Sequence, residues 1–187
     1  SANPSVEYST HVQTYGWTDY VFDGETGGTQ GQSKRLEAIK IELDNRPYNG
    51  GIVYSTHVQD YGWLDNVSNG EISGTVGKSK RMEAIKVMLT GEIGQHYDVY
   101  YRVHSESYGW LGWAKNGMKA GSEDLSRIEA IEVVLVEENS PAPGSTDRPF
   151  IESPSIVYSS NAESYGWMEE MKDGEMSGTK GQAKRLE

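Results

Sequence analysis

Hydrophobic and polar residues alternate along two segments of a unit that recurs through the chain. Residues 6–12 read VEYSTHV, so that Val, Tyr, Thr and Val fall on one side and polar residues on the other. Residues 39–43 read IKIEL and alternate in the same way. A period of two is typical of a strand with one buried face. The pattern therefore predicts a first and a last strand in each unit.

The unit is defined by a Tyr-Gly-Trp tripeptide that occurs four times, at intervals of 46, 47 and 57 residues. Each Trp is followed by Gly after seven and after eleven residues, and each unit closes with an Arg-x-Glu step, one residue earlier in the third copy. We number the units repeats 1 to 4, and they span residues 6–43, 52–89, 99–135 and 156–187. Self-similarity at this period predicts an architecture in which neighbouring units complete one another.

Two local signals refine the repeat. An Asp-Gly or Asn-Gly pair, such as Asp23-Gly24, stands in the middle of every unit and predicts a central hairpin. Leu36 and Ala38 fall on the opposite side from the buried set that begins at Ile39. This change of parity predicts a β-bulge near the beginning of the last strand.

The spacers between repeats predict the domain boundaries. Eight and nine residues separate the first three repeats, whereas twenty residues with four prolines precede repeat 4. A Pro-rich composition is typical of a semi-extended linker. We therefore expect a three-repeat domain at 5–136, a linker at 137–155 and a truncated fourth repeat at 156–187.

The expected fold class is all-β, with three repeats closed around a pseudo-threefold axis. A β-trefoil is our first expectation, and a β-prism of three sheets is the alternative. Repeat 4 stops at Glu187, where its last strand should begin, so its apolar residues need another cover. We expect it to pack on the three-repeat domain, or on a neighbouring chain as a swapped element, and in a longer parent protein to begin a second such domain.

Composition excludes several classes of partner. The 187 residues carry 17 Lys and Arg against 28 Asp and Glu, a formal net charge of −11 that opposes binding to nucleic acid. No apolar run is long enough to cross a bilayer, so we expect no membrane insertion. The chain contains no Cys, which excludes disulfides and zinc sites built on thiolates.

The aromatic residues are candidates both for packing and for binding. For the repeated Trp we favour a buried structural role, in which Trp63→Ala lowers the free energy of unfolding by about 3–5 kcal/mol. The alternative is a platform on which the C–H faces of sugar rings stack. Trp113 and Tyr20 share a position three residues after the repeated Trp, and we expect Trp113 to be exposed. The candidate aromatic ligand-binding residues are thus Trp17, Trp63, Trp110, Trp113 and Tyr20.

The charged positions allow a similar choice. For the Arg-x-Glu steps we favour a fixed ion pair, with recognition of an acidic polymer by Arg as the alternative. These residues are Arg35, Arg81 and Arg127. Three equivalent histidines, His11, His57 and His104, would hold zinc only if the axis brought them together, and turns such as 23–25 lack the spacing of a calcium loop. We therefore expect no metal ion and no cofactor.

The pattern HVQxYGWxxxVxDGExxGTxGxSKRLEAIKIxL resembles the clostridial hydrophobic repeat with a conserved tryptophan, ChW. The resemblance covers repeats 1 and 2 almost completely, repeat 3 with departures, and repeat 4 up to its truncation. It implies a secreted or cell-surface module that binds polysaccharide, peptidoglycan or a surface protein. Repeat 3 reads AGSEDLSRIEA where the others carry a GTxG step, so a site built from that loop is altered there.

The sequence contains no catalytic motif that we recognise, and nearly every candidate residue recurs three or four times. An active site needs one asymmetric constellation, whereas repetition suits multivalent binding. We therefore expect a non-catalytic module that binds carbohydrate or cell-wall polymer. A cell-surface protein-interaction or assembly module is the alternative.

Overall fold

The structure is a computed structural model that describes residues 3–154 and 156–187. These residues form two compact units, one that runs to Glu152 and one that begins at Ser153. The fold is all-β, and the one helical element among the described residues is a 3₁₀ turn at Glu92–Gln95.

Each of the first three repeats forms five strands, two long and three short. Repeat 1 contains β1 (Ser5–Val12), β2 (Gly16–Trp17), β3 (Val21–Phe22), β4 (Gly27–Gly28) and β5 (Leu36–Asp44). Repeat 2 contains β6 (Gly51–Val58), β7 (Gly62–Trp63), β8 (Val67–Ser68), β9 (Ser73–Gly74) and β10 (Met82–Thr90). Repeat 3 contains β11 (Tyr97–Ser105), β12 (Gly109–Trp110), β13 (Ala114–Lys115), β14 (Ala120–Ser122) and β15 (Ile128–Glu137).

The first and last strands of a repeat pair with each other, antiparallel, as the alternation predicts. In repeat 1, Thr10 lies opposite Ile39, and His11 lies opposite Ala38. The register then shifts so that Val12 lies opposite Leu36, which leaves one extra residue between Leu36 and Ala38. The predicted bulge is confirmed, and its extra residue is the Glu of each Arg-x-Glu step. These residues are Glu37, Glu83 and Glu129.

The fourth strand of each repeat leaves its own sheet and joins that of another repeat. Strand β9 of repeat 2 pairs with β5, β14 of repeat 3 pairs with β10, and β4 of repeat 1 pairs with β15. The exchange runs in a closed cycle through three sheets. This cyclic pairing gives the three repeats equivalent surroundings.

The cyclic strand exchange shows that two of our expectations, the central hairpin and the β-trefoil barrel, are wrong. Strands β3 and β4 do not form the predicted central hairpin, because β3 pairs with β1 and the Gly24 N–H that follows it donates to the Val133 carbonyl of repeat 3. The Asp-Gly turn therefore directs the chain from one sheet to another. The barrel of a β-trefoil is not formed by residues 3–154 either. The two long strands of each repeat pair with each other, and the sheets stay open and end in two-residue strands.

One hydrophobic core joins the three repeats. Its largest side chains include Tyr8, Tyr54 and Tyr101, each 0–1% exposed and one per repeat. The Tyr54 hydroxyl donates to the Glu71 carbonyl and accepts from the Ile41 N–H of repeat 1 at 3.1 Å. Because burial disfavours the charged phenolate, it raises the pKa of Tyr54 and of Tyr101 to about 12. The core tyrosines thus bond the repeats to one another as well as filling the interior.

The repeated Gly eleven residues after each Trp is explained by close approach. Gly74 has a φ of +106°, and a Cβ there would overlap the carbonyl oxygen of Glu37 in repeat 1. Gly28 and Gly121 meet the equivalent carbonyls of Glu129 and Glu83. A side chain at any of the three positions would separate two repeats.

Part of the predicted linker packs on the first unit. Strand β16 (Phe150–Ile151) adds to the sheet of repeat 2 by pairing in parallel with β14. The Gly121 N–H also donates to the Pro149 carbonyl at 2.9 Å. The end of the segment therefore contributes a strand and a buried Ile151 to the three-repeat unit.

Repeat 4 forms small ladders of its own. Strands β17 (Val157–Tyr158) and β20 (Met171–Lys172) pair, as do β18 (Asn161–Ala162) and β19 (Gly166–Trp167). An isolated bridge joins Ala162 to Leu186. The expected packing of this repeat on another unit or chain stays a prediction.

Candidate functional site

The Trp residues of repeats 1 to 3 lie at equivalent, half-buried positions. In repeat 1, β2 places Trp17 opposite His11, and the two rings meet edge to face with centroids 5.3 Å apart. The same pairs in repeats 2 and 3 are 5.4 Å apart. The rings are therefore structural in part. We expected them to be buried, but they are only half-buried, because the strands that carry them, β2, β7 and β12, lie at sheet edges.

A cation covers one face of the Trp ring in each of repeats 1 to 3. The Nζ atoms of Lys40 and Lys86 lie 4.2 Å from the ring centroids of Trp17 and Trp63. In repeat 3 the Lys position is Glu132, and the cation comes instead from Arg102 on the first strand, 4.5 Å from Trp110. Glu132 and Arg102 form an ion pair at 2.8 Å. The exchange of both residues preserves the cation–π contact.

The bulge Glu connects this cluster to the Arg of the Arg-x-Glu step. Glu83, 1% exposed, accepts from His57 Nδ1 at 3.0 Å and pairs with Arg81 Nε at 2.9 Å. Equivalent ion pairs form in repeats 1 and 3, which confirms the predicted pairing. The bulge is what turns this carboxylate toward both partners.

Trp63 and Trp110 each face the following repeat. Trp63 Nε1 donates to Glu123 of repeat 3 at 2.8 Å, and Trp110 Nε1 donates to Gln30 of repeat 1 at 3.1 Å. Lys119 chiefly, and then Trp63, lower the pKa of the Glu123 carboxyl by hydrogen bonding. The Trp site is thus a boundary between repeats, with polar side chains from both.

The Tyr of each Tyr-Gly-Trp is the exposed aromatic residue of the site. Tyr15, Tyr61 and Tyr108 are 55%, 49% and 43% exposed. Tyr15 follows a turn closed by its N–H to the Val12 carbonyl, and its hydroxyl donates to Gln32. Our sequence analysis missed these residues, although their place in the turn after the first strand was the available signal.

Trp113 and Tyr20 differ in exposure although they share a repeat position. Trp113 is 7% exposed, so the expectation of an exposed ring is wrong. The linker covers it: Gly144 lies against the indole, the Trp113 N–H donates to the Ser145 carbonyl, and Arg102 lies 5.0 Å from the ring. Tyr20 is 39% exposed, and partial burial followed by the charges of nearby glutamates raises its pKa.

Most of the possible metal ligands make other contacts. Among the described residues, one group of three has ligand atoms within 4.8 Å of one another, His57, Glu83 and Asp124, and the three histidines do not converge. Each repeated His instead faces the bulge Glu of its own repeat. In the turn at 23–25, Asp23 accepts from the Val6 N–H and Glu25 from the Phe22 N–H. These carboxylates stabilise turns and ion pairs.

The arginines of the first three repeats converge. Arg35, Arg81 and Arg127 line one pocket of about 230 Å³ together with Gln13, Gln59 and Glu106. No other candidate set in our sequence analysis is brought together from all three repeats in the described part of the chain.

The family model for the clostridial hydrophobic W repeat matches the chain four times. The matches cover residues 11–45, 57–91, 104–137 and 161–187, well over half of the sequence. The chain belongs to the clostridial hydrophobic W family. Neither the curated proteins nor the solved structures contain a match to it. No helix within the described ranges has the length and apolar character needed to cross a membrane.

Proposed function

We propose that this chain is a non-catalytic extracellular module that binds carbohydrate or a cell-wall polymer at its repeat boundaries. One observation carries the proposal: an exposed Tyr stands beside a half-buried Trp at three equivalent places in a single compact unit. These pairs are Tyr15 and Trp17, Tyr61 and Trp63, and Tyr108 and Trp110.

The chemistry of these surfaces suits sugars. Aromatic faces pack on the C–H faces of pyranose rings, and nearby amides and charged groups bond hydroxyls. Gln32 contacts Tyr15, and Gln30 contacts Trp110. Three weak sites on one body also gain avidity for a polymer that presents the same unit many times.

A further feature supports the proposal. The candidate groups are distributed with threefold equivalence, which favours repeated binding over a single reaction centre and needs no cofactor. The secreted or cell-surface location is part of the proposal and rests on the family alone. For the fold we propose that the three sheets are the faces of a β-prism, because cyclic strand exchange surrounds one shared core.

The second candidate function is a protein-interaction or assembly module. Exposed apolar side chains favour it, since Ile72, Val76 and Met118 are 47–52% exposed. Apolar surface of this kind is typical of protein contacts when it is contiguous.

The test is a screen of polysaccharides and peptidoglycan with the intact chain and a variant with Tyr15, Tyr61 and Tyr108 all changed to Ala. Because the three rings are exposed, we expect binding to be lost while the melting temperature changes little. Phe22→Ala, which removes an aromatic side chain that is 43% exposed outside the site, is the matched control and should bind normally. Unchanged binding by the triple variant would contradict the proposal, and capture of surface proteins without glycan binding would favour the second candidate.

A further inference from the structure

The pocket at which the arginines of the three repeats meet is a second candidate site, separate from the aromatic surfaces. Arg35, Arg81 and Arg127 occupy one position of the repeat, and all three line the same pocket of about 230 Å³. Their neighbours are also equivalent, with Gln13, Gln59 and Glu106 at one further position. Cyclic exchange of strands among the repeats explains why equivalent side chains meet there.

The guanidinium groups are held before any ligand arrives. The Nε atoms of Arg35 and Arg81 lie 3.0 and 2.9 Å from the bulge carboxylates of their own repeats. These carboxylates, Glu37 and Glu83, are buried, whereas the two Arg side chains are 21% and 32% exposed. An Arg fixed through Nε loses little side-chain freedom when its outer nitrogens bind an oxyanion.

The outer nitrogens differ among the three repeats. Within residues 3–154 and 156–187, those of Arg35 and Arg81 have no hydrogen-bond or ion-pair partner. Those of Arg127 are both used, because one binds Glu129 and the other binds Glu106 at 3.1 Å. The outer nitrogens of Arg35 and Arg81 are therefore available to a ligand, whereas those of Arg127 are occupied by carboxylates of the chain.

Glu106 differs in side chain from the equivalent residues of repeats 1 and 2, Gln13 and Gln59, but its backbone makes the same contact. Its N–H donates to the Arg127 carbonyl at 3.0 Å, as that of Gln13 does to Arg35 and that of Gln59 to Arg81. The backbone hydrogen bond is the same at the three positions, whereas the side chain is neutral in Gln13 and Gln59 and charged in Glu106. Replacing Glu106 by Gln would thus restore the chemistry of repeats 1 and 2 without changing the backbone contacts.

We propose that this pocket binds a tetrahedral oxyanion, a phosphate or sulfate group, through Arg35 and Arg81, and that Glu106 weakens the binding by competing for Arg127. The outer nitrogens of Arg35 and Arg81 come from two repeats, and two guanidinium groups can contact more oxygens than the two of a carboxylate, as a tetrahedral oxyanion supplies. Each buried Glu offsets the single positive charge of its Arg partner, so the site offers directed N–H groups rather than a broad positive surface. The inference does not rest on the aromatic surfaces of the proposed function.

The experiment measures binding of inorganic phosphate and of sulfate to the full chain at constant ionic strength by calorimetry, with Arg Nε–H NMR shifts as the site readout. We expect Arg81→Lys and Arg35→Lys each to weaken phosphate binding about tenfold, because Lys keeps the charge beside Glu but loses the fork. Glu106→Gln should tighten it about tenfold, because a like charge leaves the pocket. Arg46→Lys, outside the pocket, is the control and should bind as the native chain does.

The outcome in Glu106→Gln separates ligand binding from a purely structural role. If the arginines serve only their Glu partners, this variant will not tighten phosphate binding, and the proposal is overturned. It is also overturned if Arg46→Lys weakens binding as much as Arg81→Lys. A second titration, with poly(glycerol phosphate), distinguishes binding of phosphate within a polymer from binding of the free ion. The variant with Tyr15, Tyr61 and Tyr108 changed to Ala should bind inorganic phosphate normally, even if it has lost binding to the carbohydrate or cell-wall polymer.

Discussion

Repeats 2 and 4 make the same local contacts in different surroundings. In both, the Tyr of the first strand donates to a Glu carbonyl seventeen residues later, Tyr54 to Glu71 and Tyr158 to Glu175. In both, the Arg-x-Glu step forms its ion pair. A single repeat therefore suffices to form its own hydrogen bonds and ion pair.

Burial separates the two repeats. Trp167 is 73% exposed, whereas Trp63 is half-buried, and the Arg185 side chain is 74% exposed against 32% for Arg81. The described sheets of repeat 4 contain strands of repeat 4 alone, whereas the sheet of repeat 2 receives β14 from repeat 3. The comparison shows that the Tyr–Glu hydrogen bond and the Arg–Glu ion pair are local to a repeat, whereas the core is shared among repeats 1 to 3.

The largest effect should come from closing the space between repeats. Gly74→Ala forces a Cβ onto the Glu37 carbonyl at a φ of +106°, so we expect a loss of at least about 3 kcal/mol of unfolding free energy in denaturant titrations. Gly178→Ala, at the same position of repeat 4, meets only the Leu186 and Ser160 side chains beyond 3 Å. It should cost much less.

A control separates steric overlap from backbone strain. Gly77 has a φ of +75° and open space around its Cβ position, so Gly77→Ala should cost only about 1 kcal/mol. Equal losses for Gly74→Ala and Gly77→Ala would show that the close approach of two repeats is not what requires Gly74.

The next effect concerns the repeated Trp. Because Trp63 is half-buried, we expect Trp63→Ala to cost about 2–3 kcal/mol, less than the value for a fully buried ring. The loss includes the contact with Lys86 and the hydrogen bond to Glu123. Circular dichroism during chemical unfolding measures both this variant and Trp167→Ala, which should be within about 0.5 kcal/mol of the native chain. A larger loss at Trp167 would mean that the ring is covered in solution.

The fold was predictable where the information lies within one repeat. The alternation at 6–12 identified the buried face, and the change of parity at Leu36 located the bulge that places Glu37. Strand exchange was not predictable, because alternation records which face is buried and not which repeat supplies the next strand. Gly74 pairs with Ala38 of repeat 1. The constant spacing of this Gly from the Trp in each repeat indicates a special role, but the spacing alone does not identify its partner.

The candidate site was predictable in part. The Arg-x-Glu ion pair follows from two opposite charges that stand two residues apart in the chain. The convergence of Arg35 with Arg81 depends on the arrangement of repeats, which no single segment encodes. The burial of Trp113 depends on how residues 144–145 fold back, and a Pro-rich composition does not specify such contacts.

A smaller effect should follow from removing one hydroxyl between repeats. Tyr54→Phe leaves the buried Ile41 N–H without its acceptor and should cost about 1.5 kcal/mol. Tyr158→Phe, which removes only the bond to Glu175, should cost much less. Equal losses would contradict a role for Tyr54 between repeats.

The same tyrosine predicts an alkaline transition. The folded pKa of Tyr54, about 12, lies above the ordinary value near 10, so its contribution to stability is present below about pH 10 and is lost as the pH rises toward 12. An ultraviolet absorbance titration should show buried tyrosines that ionise after the exposed ones. Ionisation of all twelve near pH 10 in the folded protein would contradict this.

The smallest effect should come from replacing Asp23 of repeat 1 by the Asn that repeats 2 and 3 have at the same position. Asp23 stands where repeats 2 and 3 have Asn69 and Asn116, and all three side chains accept a hydrogen bond from the first strand at 2.9–3.0 Å. Desolvation raises the pKa of Asp23 despite two backbone N–H contacts, so the folded state favours the protonated form. The charged form therefore lowers stability as the pH rises through that pKa.

Asp23→Asn should consequently stabilise the protein at pH 7, by a few tenths of a kcal/mol because the residue is partly solvated. The gain should shrink as the pH falls toward about 3, where the carboxyl is protonated in both states. Asp19→Asn, which removes another exposed carboxylate from a chain of net charge −11, controls for the change in overall charge. If Asp23→Asn gives the same gain at pH 3 as at pH 7, the benefit does not come from removing a charge that repeats 2 and 3 lack.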